Sequence, residues 1–265
     1  MAGGVALNCV MNARVRNAGI FRRIWVQPAA GDAGTALGAA LWTDWRARGS
    51  ERRYGMDHAF LGPEYSEKEI RALLDYAKLS YRRTADIAEE TAAILASGKI
   101  VGWFQGRMEF GPRALGGRSI LASPLTAEIQ QRLNTIKDRE DFRPVAPVVL
   151  EEEAGKWFAG ADVSPFMLFV FNVVRERAAR IPGVCHVDGT ARIQTVNAQQ
   201  HPLYYRLIKS FQRLTDVPVL VNTSFNTQGE PIVCTPHDAV RCFMTSPLDA
   251  LVIGPFILEK PVRAA

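Results

Sequence analysis

The sequence predicts an α/β protein, a twisted sheet of mixed strand direction with helices packed against it. Two observations carry that prediction. Stretches with apolar residues at three- and four-residue spacing alternate along the chain with short apolar runs rich in valine, isoleucine and phenylalanine. A hydrophobic content of 48% over 265 residues, with 22% charged, supplies apolar surface for a sizeable core and excludes a disordered chain.

The first stretch is a tight glycine turn, AGGVALN, leading into a helix and then into a strand over 23–27, RIWVQ. The small-residue loop over 28–38, PAAGDAGTALG, enters a helix over 33–46. Glycine-rich loops at helix starts let backbone N–H groups approach a phosphate. A stretch of roughly 50 residues cannot close a core of this kind alone, so it reads as the tail of a larger domain. From 46 to 84 the composition turns polar, with one helix signalled by the capping box Ser66-x-x-Glu69 ahead of Ile70, Leu73, Leu74 and Ala77. This is a joining segment with a boundary near 84, dividing the chain into 1–84 and 85–265.

Beyond that boundary, helices are expected around Ile87, Thr91, Ile94 and Leu95, around Leu125, Ile129, Leu133 and Ile136, and around Leu203, Leu207, Ile208 and Phe211. A last helix is capped by Thr235 with Pro236 at its first position. Strands are expected over 100–104, 145–150, 166–174, 191–196, 217–221 and 251–258.

A net charge of +5 is mild. The basic runs over 46–53 and 78–83 read as solvated helix faces, and Tyr54, Tyr65, Tyr76 and Tyr81 are too sparse beside them for a nucleic-acid stripe. An anionic small substrate accounts for the same surplus. No run reaches the ~18 apolar residues of a membrane span, and no secretory signal is present. The four cysteines, Cys9, Cys185, Cys234 and Cys242, form no CxxC pair, which fits reduced thiols in a cytoplasmic protein with no membrane partner.

Four islands carry chemistry. In the first, KIVGWFQGRMEFGPRALGGRSI over 99–120, an apolar strand delivers Arg107, Arg113 and Arg118 into a glycine-rich turn with a lone acid, Glu109. Guanidinium groups on a backbone fixed by glycine and proline suit planar oxyanions such as phosphate or carboxylate. For any single arginine, bonding to loop carbonyls is the alternative. In the second, IKDREDFRPVAP, Lys137 and Arg143 lie six apart across a helix end, where one pocket can receive both. Asp138, Arg139, Glu140 and Asp141 read as a solvated helix end with an Arg139–Asp141 salt bridge. The third places Arg192 after Asp188-Gly189-Thr190, beside His186, a hydrogen-bonded structural histidine. In the fourth, Asn222-Thr223-Ser224-Phe225-Asn226 ends a buried strand with polar side chains, as ligand crevices of α/β folds do, or else forms an Asx turn. Nothing nearby would activate Ser224 as a nucleophile. Neither GxxxxGK[ST] nor GxGxxG follows a strand, so nucleotide binding must rest on scattered cations and polar side chains. His58, His186, His201 and His237 are too far apart for a helical metal pair; Asp32 is a plausible ligand or a helix cap.

QGRMEFGPRALGGRSI, DFRPVAPVV, HVDGTARIQTV and VNTSFNTQGEPIV, in this order, resemble the O-carbamoyltransferase family of nodulation-factor and antibiotic biosynthesis, over nearly the whole chain. AGGVALN and WVQPAAGDAGTALGAAL resemble the end of that family's actin-like N-terminal domain. Residues from about 85 onward resemble its C-terminal domain, which has a YrdC-like fold. The resemblance implies that ATP and carbamoyl phosphate give carbamoyl-adenylate, and that the actin-like domain passes the carbamoyl group to a hydroxyl of a sugar-containing acceptor, assisted by a divalent metal such as Fe2+ or Mg2+. Lys137, Arg143, Arg192 and Ser224 match positions lining the carbamoyl-adenylate pocket, with Arg107, Arg113, Asn222 and Asn226 as further binding candidates. Asp32 matches the aspartate metal ligand. The family's HxxxH pair falls in an N-terminal half that this chain lacks, so the metal site is expected to be incomplete, and a separate N-terminal half or a homodimer is the expected partner. Alternative readings are a threonylcarbamoyl-adenylate synthase acting in tRNA modification and a non-catalytic remnant that docks on a partner.

Overall fold

A computed structural model of the protein describes residues 1–49 and 55–260. Tyr54 and positions 50–53 of the basic run lie outside the described residues. The N-terminal part forms α1 (Cys9–Asn17), α2 (Ala33–Arg48), α3 (Glu67–Tyr76) and β1 (Arg82–Arg83). Then follow α4 (Ile87–Ala96), β2 (Val101–Phe104), β3 (Arg118–Ala122), α5 (Glu128–Ile136) and β4 (Ala146–Leu150). After the single turn α6 (Ala154–Trp157) come β5 (Phe158–Ala159), β6 (Val170–Val173), the single turn α7 (Arg175–Ala178), β7 (Thr190–Arg192) and β8 (Gln194–Val196). The chain closes with α8 (Pro202–Thr215), β9 (Val219–Ser224), α9 (Pro236–Thr245), β10 (Ala250–Ile253) and β11 (Phe256–Glu259).

The large sheet has the order β1-β11-β10-β2-β3-β9-β4-β8, and β5-β6-β7 form a second, smaller one. The pairs β10–β2 and β4–β8 are parallel and the others antiparallel, which is the expected mixed sheet with flanking helices. Successive side chains of a strand point to opposite faces, and β2 shows what covers each. Trp103 packs on Tyr204 of α8, with ring centroids 6.4 Å apart. Gly102, on the other face, meets the Phe225 ring so closely that a Cβ there would lie 2.6 Å from it. Helices α4 and α8 pack on each other, and α9 packs against β10 and β2.

Several expected elements are corrected. Residues 23–27 form no strand: Gln27 N–H donates to Met1 O and Gly3 N–H to Ala30 O, loop contacts that no neighbouring strand extends into a ladder. The strand expected over 166–174 is confined to β6, because Met167 takes a left-handed φ of 56°. The strand over 191–196 divides at Ile193, β7 joining the small sheet and β8 the large one. That over 251–258 is a hairpin turning at Gly254, whose φ is 53°. The end of the first arginine island is itself a central strand, β3, flanked by β2 and β9. The run over 78–83 is a turn and the edge strand β1 rather than a helix face; Arg82 pairs with Glu90 and Arg83 with Glu67.

The N-terminal segment docks on this body. Asn12 of α1, fully buried, donates to Ala6 O at 2.8 Å and Leu168 O at 3.0 Å. Ala6, Val26 and Ala30 share a small apolar cluster with Leu115, Ala146 and Phe166. Helix α2, by contrast, has no buried residue. Among the described residues no helix is long and apolar enough to cross a membrane.

Candidate functional site

The site begins where α5 ends. Lys137 is its C-cap and Asp138 takes the left-handed conformation, φ 44°, that aspartate tolerates better than most residues. Asp138 N–H donates to Thr135 O and Arg139 N–H to Asn134 O, the paired closure of a Schellman motif. This turn reverses the chain so that Lys137 and Arg139 both reach the cleft it borders, beside a helix C-terminus that favours cations.

Lys137 is 6% exposed, and its ammonium spends its donors on neutral oxygens. It bonds Ser224 O, Ser224 Oγ at 3.0 Å and Asn226 Oδ1 at 2.6 Å. Ser224 Oγ donates in turn to Asn226 Oδ1 at 2.7 Å, and Asn226 Nδ2 to Glu230 O at 2.7 Å. No carboxylate pairs with Lys137 among the described residues. Burial, and then the Arg139 guanidinium, push its pKa down from the ordinary 10.5 to about 7. Ser224 is the last residue of β9, paired with Ser119 of β3 at the sheet's margin.

Lys137, Arg139, Arg143, Ser224 and Asn226 line one open cleft of about 500 Å³. Four expected site residues, Lys137, Arg143, Ser224 and Asn226, are thus brought together. Arg143 is half-exposed at the rim and paired with Glu140 at 2.7 Å. The division of the KDREDFR run is corrected: the expected Arg139–Asp141 bridge is not formed, and Arg139 turns inward. Its Nε donates to Asn134 Oδ1 at 2.6 Å, while Asn134 Nδ2 holds the carbonyls of Asp141 and Arg143 at 2.9 and 3.0 Å. Asn134 is fully buried on α5, next to Leu133; a polar residue beside an apolar helix position was the sequence signal for it.

Arg192 does not line this cleft. It ends β7 half-buried, where burial, then the Arg113 charge, hold its pKa below the ordinary value. Arg113, whose pKa burial also lowers, donates to Leu7 O at 3.5 Å. Asn222, 1% exposed, donates to Gln194 Oε1 at 2.7 Å and to Ala114 O at 3.2 Å, fixing the loop that carries Arg113.

The remaining arginines of the first island do not join the cleft. Arg107 donates to Leu61 O and Gly62 O at 3.0 and 3.1 Å, tying down the joining segment. Arg118 is fully buried, donating to the carbonyls of Gln105, Gly106, Gly117 and Pro63 at 3.0–3.2 Å with its guanidinium 3.6 Å from the Phe104 ring centroid. The lone acid Glu109 accepts the N–H groups of Leu115, Gly117 and Arg118. Arg118 and Glu109 thus complete the loop's own hydrogen bonds, the alternative weighed for a single arginine. His186 is structural as expected, bonding Thr190 Oγ1 at 3.1 Å.

Asp32 is exposed at the start of α2 and its side chain caps nothing. Among the described residues no three His, Cys, Asp or Glu side chains cluster as metal ligands would. The described residues do not by themselves assemble a metal centre.

Residues 92–260 match the family model described as carbamoyltransferase C-terminus, and residues 1–41 that described as carbamoyltransferase N-terminus. The chain is 47% identical over 292 residues to the uncharacterized protein sll1178 of Synechocystis, covering 99% of this chain and 48% of that one. It is 44% identical over 267 residues to the nodulation protein NolO of Bradyrhizobium diazoefficiens, covering 98% of this chain and 49% of the other. The chain therefore spans about half the length of these relatives. Among solved structures, full-length HypF in its phosphate- and nucleotide-bound form superposes with a TM-score of 0.47 at 21% identity, over 66% of this chain and 22% of that one.

Proposed function

The chain belongs to the carbamoyltransferase family, and from that premise we propose that its cationic cleft binds ATP and carbamoyl phosphate and forms carbamoyl-adenylate. The observation that supports this most is the Lys137 ammonium, buried on neutral oxygens and bordered by Arg139 and Arg143. Partly desolvated cations that share a cleft are stabilised by an anion that meets them.

In this reading water takes the phosphoryl group of carbamoyl phosphate, its phosphorus–oxygen bond breaks, and phosphate leaves. The carbamate oxygen then displaces pyrophosphate at the α-phosphorus of ATP, giving carbamoyl-adenylate. Lys137 and Arg143 bind the phosphates and neutralise the charge that grows on their oxygens in the transition state. Ser224 and Asn226 hold the Lys137 head group in place and offer hydroxyl and amide groups to the adenylate. Arg113 and Arg192 add positive potential. Transfer to a hydroxyl of a sugar-containing acceptor, with any divalent metal that step uses, falls to the remaining length of the relatives. Residues 1–84 then belong with that transferring part and 85–265 with the adenylate-forming domain.

The test is release of pyrophosphate from ATP by the purified chain. Release that requires carbamoyl phosphate is expected. Folded protein that binds ATP yet releases no pyrophosphate under any condition contradicts the reading.

A further inference from the structure

The structural hydrogen bond of His186 engages one ring nitrogen only, and the loop around it decides which proton that nitrogen carries. Between 186 and 190 the chain doubles back at Gly189, whose φ is 75°. His186 N–H donates to Thr190 O at 2.8 Å and Gly189 N–H to His186 O at 2.9 Å. Asp188 Oδ1 accepts Thr190 N–H at 3.0 Å and Thr190 Oγ1–H at 2.7 Å, bonds that hold its pKa below the ordinary carboxylate value. An ionised carboxylate only accepts, so the hydroxyl proton is spent on Asp188 and Thr190 Oγ1 faces His186 with a lone pair. The 3.1 Å contact between His186 Nδ1 and Thr190 Oγ1 therefore carries an Nδ1–H. In the neutral imidazole Nε2 is then the bare nitrogen. No hydrogen-bond partner meets Nε2 among the described residues. Burial keeps the ring neutral by lowering its pKa from the ordinary 6.5.

The ring also stands on the same side of a strand as a cation. Thr190 and Arg192, two apart on β7, project from one face of the small sheet, and Ala191 projects from the other into the core. His186, bonded to the Thr190 side chain, is on the Arg192 side. Asp188 and Thr190 border an open cleft of about 330 Å³ between this sheet and α1, with Arg14, Arg16 and Asn172. We propose that Asp188 and Thr190 hold His186 for base catalysis, its Nε2 taking the proton of the water that attacks carbamoyl phosphate. This rests on the functional reading above and names the residue that makes its water a nucleophile. The water oxygen bonds to phosphorus and the phosphorus–oxygen bond to the carbamate breaks. Its electron pair leaves with the carbamate, and the water's proton goes to Nε2. Asp188 and Thr190 are positioning residues: they fix the tautomer, as the aspartate of a Ser-His-Asp triad does, and take no proton.

Nitrogen NMR of the folded, histidine-labelled chain at neutral pH reads the tautomer without turnover. His186 Nδ1 is expected to resonate as a protonated, pyrrole-type nitrogen and Nε2 as a bare, pyridine-type one. The opposite pattern overturns the proposal and leaves the functional reading standing. Phosphate release from carbamoyl phosphate tests the base itself. His186→Asn keeps a side-chain N–H for Thr190 Oγ1 and removes Nε2, so it separates anchoring from catalysis. It is expected to lose about 100-fold or more, the usual share of general-base catalysis, with ATP binding unchanged. The wild-type rate should fall in acid, at a pH below 6.5, as Nε2 takes a proton; the Asp188 charge moves that fall up and the Arg192 charge moves it down. The residual rate of His186→Asn should lack this acid limb. Thr190→Val frees the tautomer and should cost about 10-fold or more, and Thr190→Ser should recover to within about threefold of wild type. Should His186→Asn fail to fold, the comparison of Thr190→Val with Thr190→Ser decides in its place, equal rates overturning the proposal. A wild-type rate in His186→Asn, or an acid limb it retains, overturns the proposal alone. A wild type that binds ATP yet releases neither phosphate nor pyrophosphate overturns it together with the functional reading.

Discussion

The loop over 105–118 and the turn over 137–143 are both dense in arginine, yet they dispose of charge in opposite ways. In the loop, Arg118 meets four backbone carbonyls and Glu109 meets three backbone N–H groups, so most of each group's hydrogen bonding is taken up by its own chain, Arg118 Nε and Glu109 Oε2 being left over. In the turn, Lys137 rests on neutral oxygens, Arg139 keeps a free donor, and the acid present sits out at the rim with Arg143. The loop's charges are held mainly by backbone groups of the same chain, whereas the turn's cations border an open cleft.

Four substitutions or conditions would break or sharpen that contrast. Arg118→Ala is expected to do the most damage to the fold, about 3–5 kcal/mol by denaturant unfolding, since it strands four carbonyls and the Glu109 charge. Lys137→Met should cut adenylate formation about 100-fold or more while changing neutral-pH stability by about 1 kcal/mol or less, because a buried ammonium exchanged for an apolar chain of similar length removes its own desolvation. If Lys137→Met unfolds the chain as Arg118→Ala does, the contrast fails.

The pH dependence of stability gives a third comparison. Lys137 has a folded pKa of about 7 against an ordinary 10.5. Between those values the unfolded chain holds a proton that the folded one has shed, so its contribution makes stability rise as pH climbs from about 7 to about 10.5. Chemical unfolding of wild type and Lys137→Met across that window should differ in slope, the variant being flatter. Parallel slopes would mean that the ammonium is not desolvated. The smallest effect belongs to Arg107→Ala, where two exposed carbonyl bonds are lost: about 1 kcal/mol or less, with adenylate formation within about twofold of wild type.

Much of this was legible beforehand for physical reasons. Capping boxes at Ser66 and Thr235 mark α3 and α9 in the sequence because their side chains satisfy helix N–H groups locally. The spacing of Lys137 and Arg143 across a helix end suggested a shared pocket, while the convergence of Lys137 with Ser224 and Asn226 was expected only through the family resemblance. What local pattern could not show was who answers each charge. Arg118 and Arg107 look like anion binders until Pro63, Gly62 and Leu61, more than forty residues upstream, supply their acceptors. Arg139 looked solvated because Asp141 stands two residues on, and only the Schellman turn at Asp138 reverses its direction. The split at Ile193 was hidden for a related reason: an unbroken apolar run carries no sign that its two ends join different sheets.

The claim that the Lys137 cleft is an unsatisfied phosphoanion site is tested most directly by the unfolding free energy with and without ATP. Wild type at an ATP concentration 100-fold above its dissociation constant should gain about 2.7 kcal/mol, and Lys137→Met at the same concentration should gain far less. Equal stabilisation of the two, or none in either, would contradict the claim.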